Sequence, residues 1–129
     1  MTRYLGSCHC GAVTFEITAP ITEVYTCDCS LCRRKNALMT QVHESALYIL
    51  SGADKLTLYR WNLKIAKHYF CSVCGIYPFH RKRSAPDHYG VNVMCLEDFD
   101  PEGLPVRRGD GKGMSLARDA SSRWPGPID

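Results

Sequence analysis

Along Ala12–Thr18, "AVTFEIT", apolar and polar residues alternate. Val13, Phe15 and Ile17 fall on one side, and Thr14, Glu16 and Thr18 on the other. A period of two is that of a strand with one buried face, and Pro20 ends it. "TEVYT" (Thr22–Thr26) is rich in β-branched residues and predicts a strand leading into a run of cysteines. "SLCRRKN" (Ser30–Asn36) offers Ser30 as a cap and has no β-branched residue, which predicts a helical turn. "ALYIL" (Ala46–Leu50) predicts a strand stopped by Ser51-Gly52. "KLTLYRW" (Lys55–Trp61) and "IAKHYF" (Ile65–Phe70) predict a hairpin turning at Asn62-Leu63-Lys64. "YGVNVMCL" (Tyr89–Leu96) predicts a further strand, with Val91 and Val93 on one face. "LEDFDPEGLP" (Leu96–Pro105) reads as a loop or a short turn of helix. From Arg107 the chain is rich in Gly, Arg, Ser and Pro, which predicts an irregular C-terminal segment, 107–129. The pattern is mainly β.

The chain has 129 residues and no internal repeat or dividing linker. It is therefore expected to be one domain over 1–129, with its core in 6–106. Apolar residues make up 45%, enough for a real core and too many for a disordered chain. Sixteen Lys and Arg against thirteen Asp and Glu leave a net charge of +3. That modest excess suits small anions and does not argue for nucleic acid. The start, "MTRYLGSCHCGAVTF", holds no apolar run of signal-peptide length. No stretch approaches the roughly 18 apolar residues that span a bilayer. Both readings lead us to expect a cytoplasmic protein with no membrane partner, whose thiols stay reduced.

Eight cysteines then need a role other than disulfides. They fall as Cys8 and Cys10, then Cys27, Cys29 and Cys32, then Cys71 and Cys74, with Cys95 alone. Cysteines one or two residues apart can point their sulfurs at a single ion. "CHCG" and "CSVCG" both end in glycine, Gly11 and Gly75, which lets the backbone fold tightly around a metal. Together Cys8, Cys10, Cys71 and Cys74 have the composition of a structural zinc site. The triplet Cys27, Cys29 and Cys32 has that of a catalytic zinc, with three protein ligands and one open position. Such an opening takes water or a substrate thiolate, and leaves that metal only partly occupied. Alternatively Cys95, Asp28 or one of His9, His43, His68, His80 and His88 closes the site.

Arg33, Arg34 and Lys35 follow the triplet directly. They read either as a solvated charged turn or as cations that meet the carboxylates of a small ligand. His80, in "HRKRS", reads either as a structural histidine or as an acid–base group. Tyr59 and Trp61 read as core.

Three segments carry a resemblance. "GSCHCGAVTFEI" (Gly6–Ile17), "CDCSLCRRKNAL" (Cys27–Leu38) and "FCSVCGIYPFHRKRSAPDHYGVNVMCLE" (Phe70–Glu97) resemble the glutathione-dependent formaldehyde-activating enzyme family, also grouped with centromere protein V. The resemblance implies a Mss4-like fold of coiled, crossed antiparallel sheets stapled by zinc. It implies a structural zinc on Cys8, Cys10, Cys71 and Cys74, and a second zinc on Cys27, Cys29 and Cys32. It implies an activity joining formaldehyde to the glutathione thiol to give S-hydroxymethylglutathione, a carbon–sulfur lyase in the broader label. Two positions depart from the family pattern. Asn36 stands where relatives often have glycine, and Asp28 where they often have His or Asn. Two other readings use the same residues: a zinc-stapled binding module without catalysis, and a Mss4-like thiol or redox enzyme for which Cys95 is the candidate reactive cysteine.

Overall fold

The computed structural model describes residues 2–27, 30–60, 66–82 and 85–109. Ten strands and one short helix are found there. A three-stranded sheet has the order β1-β2-β5, built from β1 (Arg3–Ser7), β2 (Thr14–Thr18) and β5 (Leu47–Ser51). A seven-stranded sheet has the order β10-β3-β4-β9-β8-β7-β6. Its strands are β3 (Val24–Cys27), β4 (Met39–His43), β6 (Leu56–Tyr59), β7 (Lys67–Cys71), β8 (Phe79–Arg81), β9 (His88–Asn92) and β10 (Val106–Gly109). Every pairing is antiparallel except β10 with β3, which is parallel. The helix α1 covers Ser30–Lys35.

The alternation in "AVTFEIT" shows as burial. Phe15 and Ile17 are fully buried, while Thr14 and Glu16 are only partly covered. Phe15 packs edge-to-face on Phe79, with ring centroids 5.3 Å apart and planes at 85°. Phe15 belongs to the small sheet and Phe79 to the large one, so this aromatic pair joins the two. Val24, Val42, Leu47, Val91, Val93 and Leu96 complete the core around it.

Strands were expected near β2, β3, β5, β6, β7 and β9, and they are there. Leu56 to Tyr59 pairs antiparallel with Cys71 to His68, as the hairpin reading required. The turn at Asn62-Leu63-Lys64 lies outside the described residues, as do 110–129 of the expected irregular segment. Arg107–Gly109, also expected to be irregular, instead extend strand β10. The strand expected to run to Leu96 stops at Asn92, whose side chain accepts the Met94 amide and opens a 3-10 turn over Val93–Cys95. Among the described residues no helix is long and apolar enough to cross a membrane.

Because Phe15 fills the join between the sheets, Phe15→Ala should lower unfolding free energy by about 3–5 kcal/mol. Chemical denaturation of the variant checks this. A loss below ~1 kcal/mol, within the range of ordinary surface changes and small rearrangements, would show that the sheets are held together without the pair.

Candidate functional site

Two short loops of like geometry bring four cysteines together. Cys8 leaves the end of β1, and its amide donates to the Val13 carbonyl at 3.0 Å. Cys71 ends β7, and its amide donates to the Ile76 carbonyl at 2.9 Å. Each loop thus closes over five residues, with the second cysteine of its pair inside. Gly11 and Gly75 take φ of 81° and 79°, the left-handed turn that both loops need. The Val13 amide points at Cys8 Sγ at 3.3 Å, and the Val73 amide at Cys71 Sγ at 3.4 Å. Such amides stabilise sulfur as thiolate.

The sulfurs of Cys8, Cys10, Cys71 and Cys74 all lie within 4.8 Å of one another. Cys10 Sγ is 3.7 Å from both Cys8 Sγ and Cys71 Sγ. A tetrahedron with metal–sulfur bonds of 2.3 Å has edges of ~3.8 Å, so the donor set fits a four-coordinate ion of the zinc type. Cys8 and Cys71 are buried, Cys74 is half-buried and Cys10 is exposed. The Ile76 amide pulls the Cys74 thiol down to about 6. Burial pushes Cys8 up, but the Val13 amide and the neighbouring sulfurs outweigh it and hold Cys8 low. The Ala12 amide favours the Cys10 thiolate, yet burial and the three nearby sulfurs drive that thiol up to about 11. Four thiolates this close repel unless a cation joins them.

The cysteine triplet is divided. Cys27 ends β3 and Cys32 sits in α1, while Asp28 and Cys29 lie outside the described residues. Cys27 and Cys32 line an open cleft of about 270 Å³, together with Thr26, Arg33, Asn36 and Arg108. Asn36 takes a left-handed φ of 52°. Asparagine tolerates that region better than most residues, so the turn forms with Asn36 in place. Of the three expected cations, Arg33 lines the cleft and Arg34 is exposed away from its lining. Lys35 turns elsewhere. Its Nζ lies 3.0 Å from His68 Nδ1 and 3.4 Å above the Tyr77 ring.

That lysine marks a polar network that the sequence did not reveal. His68 on β7 stacks on His80 on β8 at 5.1 Å, because the two face each other in the strand register. The Tyr77 hydroxyl hydrogen-bonds to His80 Nδ1. Lys82 Nζ donates to the Tyr25 hydroxyl at 3.3 Å. Gly90 makes room for this cluster, since a Cβ there would lie 2.3 Å from the His80 ring and 2.6 Å from the Tyr25 hydroxyl. Burial pushes His68 down to about 3, helped by the Lys35 charge. Burial, with His68, Lys35 and Lys82 beside it, holds His80 well below 6.5. Burial raises Tyr25, with the sulfurs of Cys32 and Cys27 adding to it. Burial thus favours the neutral ring of His80 over its imidazolium.

Of the alternative ligands for the triplet, Asp28 lies outside the described residues and His9 is exposed between two ligands of the four-sulfur cluster, while the other five have partners of their own. Cys95 points its thiol at the Tyr77 carbonyl, 3.9 Å away, and burial drives it up to about 11. His43 and His88 pack edge-to-face at 5.2 Å and both meet Asp87. His68 faces Lys35, and His80 faces Tyr77. Sequence reading missed Tyr25, His68, Tyr77 and Lys82 as a group because strand pairing, and not local spacing, assembles them. The one local signal was period two in "VYTC", which puts Tyr25 and Cys27 on the same side of β3.

Comparison with known proteins bears on the family and the fold. The family model described as glutathione-dependent formaldehyde-activating enzyme matches residues 3–107. The fold is similar to the crystal structure of a Rhodobacter sphaeroides protein solved as a structural-genomics target. That protein is 43% identical, the match covers 80% of this chain and 98% of that one, and the TM-score is 0.73.

Two outcomes are expected. Cys71→Ser should abolish one tightly held metal per chain and leave the protein unfolded or insoluble, since one lost ligand undoes the staple. Metal analysis and a melting curve check this, and a soluble variant with unchanged melting would refute the four-sulfur site. The second outcome follows from His68, which binds its proton near 6.5 when unfolded and at about 3 when folded. Between those values the unfolded chain holds the extra proton, so stability is fully present above pH 6.5 and is lost as pH falls toward 3. His68→Gln should flatten that part of the stability–pH curve relative to wild type. An unchanged slope would show that His68 is not held neutral.

Proposed function

The chain belongs to the glutathione-dependent formaldehyde-activating enzyme family, and from that premise we propose that it joins formaldehyde to the thiol of glutathione. It does so as a single zinc-binding domain of the cytoplasm, in a carbon–sulfur lyase-type reaction. The observation that carries the reading is the open cleft that sets Cys27 and Cys32 beside the Arg33 guanidinium. The zinc of Cys8, Cys10, Cys71 and Cys74 is structural, because its four sulfurs leave no position for a substrate. Cys27, Cys29 and Cys32 would hold the second zinc, which when bound would lower the pKa of a thiol and so supply a thiolate at neutral pH.

The remaining steps belong to the chain. The cleft holds the tripeptide, and Arg33 meets a carboxylate. A carbon–sulfur bond forms as the thiolate adds to the carbonyl carbon, and the displaced electron pair stays on oxygen as an alkoxide. That oxygen needs one proton. His80 is assigned as the donor through its Nε2–H while Tyr77 passes its hydroxyl proton to Nδ1, and the proton released when the thiol became a thiolate returns to Tyr77 through solvent, so the protons balance and the imidazole carries no charge. This suits a ring whose burial disfavours the imidazolium. The redox reading is disfavoured, because a Cys95 thiol driven up to about 11 is almost wholly protonated at neutral pH.

The test is an NMR assay of S-hydroxymethylglutathione formation above the spontaneous rate, with calorimetric titration of glutathione. Cys32→Ser should weaken thiol binding and cut the enzymatic rate by on the order of a hundredfold. Wild-type protein that gives no acceleration at millimolar glutathione would replace catalysis with the binding-module reading.

A further inference from the structure

We propose that Arg108 is a specificity-determining residue of the cleft, forming with Arg33 a two-cation site for a thiol that carries two separate carboxylates. The proposal rests on the cleft being the thiol site. It names what selects the thiol and adds a residue from a part of the chain whose composition suggested irregular structure.

Backbone pairing puts Arg108 there. Strand β10 lies parallel to β3, with Arg108 opposite Thr26 and Gly109 opposite Cys27. Side chains alternate along a strand, so Arg107 and Arg108 point to opposite faces. Arg107 meets Glu23, at 3.2 Å between Nη2 and Oε2, whereas Arg108 lines the cleft. Arg33 reaches the same cleft from α1. Two guanidiniums therefore converge on it from different elements.

Their surroundings separate them from other arginines. Arg3, Arg81 and Arg107 each hold a glutamate: Glu16, Glu44 and Glu23. Among the described residues neither Arg33 nor Arg108 makes an ion pair, and no described residue lining the cleft is acidic. Two like charges with no acidic partner among the described residues of one concave surface repel each other and attract anions. A guanidinium offers a planar fork of donors that matches a carboxylate. Two forks on separate elements match two carboxylates, and Cys27 and Cys32 line the same cleft from the end of β3 and from α1.

The experiment uses metal-loaded full-length protein and calorimetry. The probes are glutathione, its diethyl ester and 2-mercaptoethanol. Wild type should bind glutathione more tightly than the ester, and added salt should narrow the difference. R108Q should weaken glutathione about three- to tenfold, leave 2-mercaptoethanol unchanged, and shrink the preference for the free acid. R108K should recover part of the loss. R107Q, on the opposite face, should bind like wild type. Equal binding of acid and ester by wild type would overturn the proposal, as would equal losses in R108Q and R107Q. Melting curves of each variant separate loss of affinity from loss of fold, and the wild-type acid–ester comparison decides even if R108Q does not fold. Failure of the condensation assay with the acid–ester preference intact would remove the proposed reaction and leave this site standing. Catalysis that is indifferent to R108Q would remove this site and leave the reaction.

Discussion

Four sulfurs within 4.8 Å of one another cannot be held by side-chain packing alone. Neutral thiols make weak contacts at that range, and thiolates repel. A cation at their centre would turn both facts around, and the donor set fits one. Cys8 and Cys10 follow a strand of the small sheet, and Cys71 and Cys74 follow a strand of the large one. The bond network through the ion therefore ties sheet to sheet. Cys10 and Cys71 are 61 positions apart. Closing such a loop costs roughly 4 kcal/mol beyond a constant, well below the ~10–16 kcal/mol of apparent binding free energy that a structural zinc supplies. The Phe15–Phe79 contact completes a join that a metal held by the four sulfurs would tie from its other end.

The large sheet carries a different kind of tension. His68, His80, Tyr25 and Tyr77 are drawn into a polar cluster with Lys35 and Lys82 over Gly90, where a larger residue would not fit. Burial favours neutral rings, and the two ammonium groups reinforce that preference. The cluster is therefore a store of hydrogen bonds with little charge of its own on the imidazoles. A neutral imidazole passes on its N–H proton only as it accepts another at its second nitrogen, and the Tyr77 hydroxyl at His80 Nδ1 is placed for that exchange.

Local chemistry was legible in the sequence where spacing alone decides it. The cysteine pairs of the four-sulfur site could be read because two ligands one or two residues apart need no long-range information. The strand at β2 was legible from its alternation, and the β6–β7 pair from two apolar runs in sequence. Strand β1, "RYLGS", was missed because its alternation is weak and contains a glycine. Strand β8 has three residues, too few to show a period. Strand β10, "VRRG", looks like a solvated tail until β3 offers it a parallel partner. The same logic explains Lys35, which reads as one of three equivalent cations. Its turn toward His68 depends on β7, more than thirty residues later (|i−j| = 33).

The parallel pairing of β10 with β3 also sets an order in time. A chain emerges from the ribosome N-terminus first. All four ligands of the sulfur cluster have been made by Cys74, before β8, β9 or β10 exists. The cleft gains Arg108 only when nearly all of the described chain has been synthesised. The nascent chain thus has all four sulfurs in hand long before its cleft is walled on both sides, and a ribosome-bound intermediate could take up a metal there while still lacking Arg108 at the cleft.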